Sequence, residues 1–144
     1  MKSFLACTTC LLALPLIPAH AETKTELETT MKDLAGASKR VGADLKLTDD
    51  AKHNKDADLK DVATMQADAV KGRNFAPKKE ASLPPDQQAT MTTNYQKDMD
   101  AFIADIKTLD ADVQADKWPA ARTDFQKLMT DEKSGHKAYR VKKD

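Results

Sequence analysis

The feature that most restricts this chain is the apolar spacing between Pro85 and Lys117, where Met91, Tyr95, Met99, Phe102, Ile106, Leu109 and Val113 follow one another at intervals of four or three. That period stacks all seven side chains on one face of an α-helix, whereas a strand would scatter them over both faces. A long helix with one apolar face is not stable alone in water, so it needs partners of the same kind.

The rest of the sequence supplies three. Thr23 to Lys46 carries Leu27, Met31, Leu34, Val41 and Leu45, with Ser38 filling the one gap in the stripe. Asp50 to Lys71 places Leu59, Val62, Met65 and Ala69 on one side, the weakest of the four patterns. From Trp118 the positions Ala121, Phe125, Leu128 and Met129 continue to Tyr139, and the stripe Phe125, Met129, Glu132, His136, Tyr139 carries two polar residues onto a face read as buried.

The connections fix the order of packing. Leu47 to Asp50 reads as a turn, with Thr48 or Asp49 as cap of the second helix. Gly72 to Pro85 is a loop punctuated by Pro77, Pro84 and Pro85, with Ser82 or a neighbour as cap and the last prolines in the first helical turn. A short link at Asp116, read as the cap of the last helix, leads to Pro119 in its first turn. Short, long and short connections predict an all-α, antiparallel up-down-up-down four-helix bundle. No strand pattern, glycine-rich phosphate loop or nucleophile signature is present.

Ahead of the bundle, residues 1–21 have one Lys, an apolar run from Phe4 to Ile17 and a closing Ala19-His20-Ala21, the pattern of a cleaved export leader rather than a membrane span. The expected mature domain is 22–144, soluble and periplasmic. Cys7 and Cys10 both leave with the leader, which excludes disulfides, thiolate metal sites and thioether-linked haem. Losing Lys2 as well leaves 22 Lys and Arg against 23 Asp and Glu, a net charge of −1. So balanced a chain has no electrostatic case for nucleic acid or anionic membranes.

Two residues could carry chemistry. In an antiparallel bundle the first and last helices are neighbours, so Met31, early in the first, and His136, late in the last, lie at about the same depth below one bundle end, roughly 10 Å at 1.5 Å rise per residue. A thioether and an imidazole facing each other are a common pair of axial ligands for haem iron. His53, at the other end, is read as facing solvent, Lys52, Lys55, Asp56, Lys60 and Asp61 as a solvated helix face, and Trp118 as closing the far end of the core.

Glu26-Leu27-Glu28-Thr29-Thr30-Met31-Lys32-Asp33-Leu34 resembles the opening of the cytochrome b562 family, in which a leucine, the ligand methionine and a second leucine have this spacing. His136-Lys137-Ala138-Tyr139-Arg140 is similar to that family's closing His-x-x-Tyr-Arg, where the histidine is the second ligand and the arginine lies near a haem propionate. Cytochromes c′ end similarly but bond their haem through a Cys-x-x-Cys, where this chain has Glu132 and Gly135. The resemblance therefore implies one non-covalent haem b per chain, with Met31 and His136 on the iron and Leu27, Leu34, Tyr95, Met99, Leu128 and Arg140 around it. Tyr95 and Met99 stand where family members place phenylalanines, and Glu132 where a basic residue is usual. The implied function is electron transfer by a monomer to a redox partner, with no substrate transformed; the alternatives are a haem-free helical bundle for stress, metal handling or protein binding, and a five-coordinate haem on His136 alone.

Overall fold

The computed structural model describes residues 19–141, with side chains from Glu26 onward. The chain forms α1 (Ala19–Asp44), α2 (Lys55–Arg73), α3 (Pro85–Gln114) and α4 (Trp118–Tyr139), with short 3₁₀ turns at Asp50–Lys52 and Glu80–Ser82. No strand occurs among the described residues. No helix among them is long and apolar enough to cross a membrane. The leader read over residues 1–21 lies, up to residue 18, outside the described residues.

Consecutive helices pack on one another, α1 on α2, α2 on α3 and α3 on α4. Their directions follow from paired side chains. Arg40 meets Asp61 while Glu26 meets Lys71; Lys55 meets Asp116 while Arg73 meets Asp100; and Lys127 meets Asp105 while Tyr139 meets Asp98. In each pair of helices the number rises on one as it falls on the other, so neighbours run antiparallel, as the loop lengths require.

The stripes become the core, but not evenly. Val41, Val62, Met65, Ile106, Leu109, Val113 and Leu128 are fully enclosed, and Leu45 and Trp118 nearly so. Each such side chain contributes about 1.5–3 kcal/mol of burial. Toward the other end Met31, Met91, Met99 and Glu132 are only half-buried and His136 is exposed. Burial of Glu132 and His136 is thus corrected: the period of α4 continues past the point where its neighbours cover it, and the His136 side chain is 45% exposed.

Three of the expected caps fall elsewhere. Asp49 accepts the Ala51 N–H and starts the 3₁₀ turn, while Asn54 accepts the Ala57 N–H at 3.2 Å and starts α2, five residues later than read. Ser82 donates to the Lys79 carbonyl instead of capping α3, which begins on Pro84 and Pro85 without a side-chain cap. Asp116 ends α3 rather than starting α4. At φ 56 it takes the left-handed position usually given to glycine, its N–H donates to the Val113 carbonyl and the Lys117 N–H to that of Asp112. This is the Schellman arrangement that satisfies the last carbonyls of a helix.

Candidate functional site

Two contacts relate α1 to α4. Gly42 faces the Phe125 ring so closely that a Cβ there would lie 2.7 Å from it. One turn away, the Ser38 hydroxyl donates to the Met129 sulfur at 3.8 Å. Four residues back on α1 thus match four residues forward on α4. Counting two further turns in the same sense arrives at Met31 on α1 and His136 on α4.

Around Met31 the side chains converge on Gly72, in the last turn of α2. A Cβ on Gly72 would sit 2.4 Å from the Met31 methyl and 3.6 Å from that of Met99, so the missing side chain is the notch that Met31 occupies. Tyr95, buried on α3, donates its hydroxyl to the Gly72 carbonyl at 2.8 Å, and burial pushes that phenol up to about 12. Its ring meets Tyr139 edge-on at 5.2 Å, and Tyr139 donates to Asp98 at 2.6 Å. The Tyr139 carbonyl accepts the Lys79 N–H, tying the end of α4 to the long loop.

Of the other residues expected here, Leu27 and Leu34 are buried on α1 and Leu128 is fully buried on α4. Arg140 is exposed beyond α4 and lines a shallow depression with Lys79, Ser82, Lys137 and Val141, a cationic patch to which the long loop contributes Lys79. His136 has Glu132 Oε1 3.9 Å from its Nδ1, one turn back on the same helix.

The opposite end holds a second polar cluster. The side chain of His53, read as solvent-facing, is fully enclosed. Its ring stacks on Trp118 with centroids 4.1 Å apart. Nδ1 lies 2.6 Å from Asp44 Oδ2, and Nε2 lies 3.1 Å from an Arg122 nitrogen. Arg122 also donates to the Leu45 and Leu47 carbonyls and to Asp50, closing the C-terminal end of α1 with a cation where the helix dipole favours one. The sequence signal available was Trp118 itself, an aromatic at a helix start that needed a flat partner. Asp58, in the first turn of α2, is 3% exposed. Burial, then the Asp44 and Asp61 carboxylates, pushes it up to about 7. Asp44 goes the other way: burial opposes its charge, but hydrogen bonds with Asp58, His53 and the Asn54 N–H hold it below the usual carboxylate range.

Compared with known families, residues 26–140 match the family model described as cytochrome b562. None of the curated proteins compared matches the chain.

Proposed function

The chain belongs to the cytochrome b562 family, and on that premise we propose that it is an exported electron carrier holding one non-covalent haem b between Met31 and His136. A bound haem would supply an iron that takes up and releases one electron, with Met31 and His136 as the residues that would hold it. The observation that supports the reading is the α1–α4 register at Gly42–Phe125 and Ser38–Met129, which, continued by two turns, leads toward Met31 and His136.

The residues present fit such a group. Leu27 and Leu34, about one turn either side of Met31 on α1, are buried and apolar. Tyr95 offers an apolar wall whose hydroxyl is satisfied by the Gly72 carbonyl and so makes no demand on the pocket. The half-exposed His136 imidazole would have to turn inward by rotation about its own side-chain bonds, away from Glu132, to reach such a group. Glu132 remains the departure from the family pattern, a carboxylate where an anionic group would have to be accommodated. The patch of Lys79, Lys137 and Arg140 lies on the same end and suits an acidic surface on a redox partner. The leader at residues 1–21 supports delivery to the periplasm.

Reconstitution with haemin and a reduced-minus-oxidised spectrum test the reading. A low-spin spectrum is expected, converted to a high-spin one by Met31→Ala, with His136→Ala weakening haemin binding at least about tenfold, or ~1.4 kcal/mol. A spectrum indifferent to both substitutions refutes it. The haem-free bundle is the second reading, favoured by Met31 already packing into Gly72 with His136 turned to solvent. Colourless periplasmic protein whose melting temperature ignores haemin would establish it.

A further inference from the structure

The cluster at the closed end contains more ligand chemistry than a buried histidine needs. Asp44 ends α1, His53 precedes α2 and Asp58 lies in its first turn. One ligand atom from each, an imidazole nitrogen and two carboxylate oxygens, lie within 4.8 Å of one another. Asp58 is 3% exposed, and its carboxyl faces that of Asp44, yet its Oδ2 accepts no hydrogen bond among the described residues. A buried carboxylate oxygen without a donor is costly, and a cation removes that cost.

We propose that Asp44, His53 and Asp58 form a binding site for a divalent transition-metal ion of the zinc type, separate from the Met31–His136 pair. One nitrogen and two oxygens suit Zn²⁺ or Mn²⁺ better than the soft Cu⁺ or the larger, all-oxygen Ca²⁺. Bonds of about 2.0–2.2 Å require the three side chains to draw together slightly, and they leave a fourth position for water. The surrounding groups are arranged for it. Asp44 Oδ1 accepts the Asn54 N–H at 3.3 Å, which orients the carboxylate as outer hydrogen bonds orient metal ligands. Metal on Nδ1 moves the ring proton to Nε2, where Asp50 Oδ1 at 3.7 Å is the acceptor at hand and Arg122 releases the ring. Two carboxylates cancel the charge of the ion. The nearby Asp61 is already paired with Arg40, and Arg122 keeps Asp50 as its counter-charge. All three ligands come from one short stretch of chain, so the ion would lock the α1–α2 connection to the helices it joins.

The full mature chain, stripped with chelator and titrated with Zn²⁺, tests this by equilibrium dialysis and thermal unfolding. One ion per chain and a rise in melting temperature of roughly several degrees at saturating metal are expected. Asp58→Asn and His53→Gln should each abolish both, and Co²⁺ should give visible absorption in the parent that is absent from the variants. His136→Ala should leave the response intact, which separates this site from the exposed Glu132–His136 pair. The proposal is overturned by no binding, by binding that survives Asp58→Asn, or by binding lost with His136→Ala.

Discussion

Replacing Gly42 by alanine isolates the contact on which the α1–α4 register rests. All four glycines of the chain lie in helices, so each Gly→Ala change gains about the same 1 kcal/mol of intrinsic helix propensity. The space differs. At Gly36 the nearest atom to a new Cβ is the end of Arg40 at 3.6 Å, an ordinary contact, and at Gly135 nothing lies within 4 Å. At Gly42 the Cβ lies 2.7 Å from two atoms of the Phe125 ring. The ring, or α4 with it, must withdraw by roughly 1 Å, and forcing a methyl into packed surroundings costs about 1–3 kcal/mol. Gly36→Ala and Gly135→Ala are therefore expected to stabilise by up to about 1 kcal/mol, and Gly42→Ala to destabilise by up to about 2 kcal/mol net. Gly72→Ala falls between them, because the atom it displaces is the flexible tip of Met31. Urea unfolding followed by circular dichroism, with equal slopes across the series, measures each value. A Gly42→Ala protein as stable as Gly36→Ala would refute the close approach, and with it the extrapolation that leads toward Met31 and His136.

Asp58 predicts a pH dependence. Its folded-state carboxyl holds a proton up to about pH 7 that the unfolded chain gives up near 4, so stability falls as pH rises through that window, by at most about 1.4 kcal/mol per unit. Asp68 and Asp124, also raised chiefly by burial, add slopes of the same sign, and the lowered Asp44 acts only at more acidic pH. In chelator, Asp58→Asn should match the parent at pH 5 and exceed it by about 1–2 kcal/mol at pH 8; an equal difference at both values would show that the carboxyl does not titrate there. Tyr95→Phe leaves the Gly72 carbonyl without its side-chain donor and is expected to cost about 1–2 kcal/mol in the same assay, a neutral result meaning that the bond adds nothing.

The helices were legible because their cores repeat with the helical period. Even the weak pattern of α2 held, with Val62, Met65 and Ala69 fully buried. Misreadings came where one residue type serves two local purposes or where burial is decided by distant chain. Aspartate favours both N-caps and the left-handed position after a helix, and Asp116 takes the second role. Asp49 and Asn54 are both good caps, and each starts a helix of its own. His53 is enclosed by Trp118 and Arg122 from α4, which no local pattern around His53 announces. At the candidate site, helix lengths do not give Met31 and His136 a common level, since Met31 lies twelve residues from the start of α1 and His136 three from the end of α4; nor was the Gly72 notch legible, since a glycine near a helix end reads as a stop signal.

The uneven burial along α3 and α4 gives the bundle two regimes of motion. Backbone amides near Val41, Ile106 and Leu128, under fully enclosed side chains, belong to the part that exchanges only when the whole molecule unfolds. Those near Met91, Glu132 and His136 lie under partial cover and open separately at lower cost. Were haem to load as proposed, that end would part its helices while the other kept them in register, so loading would require breathing rather than refolding.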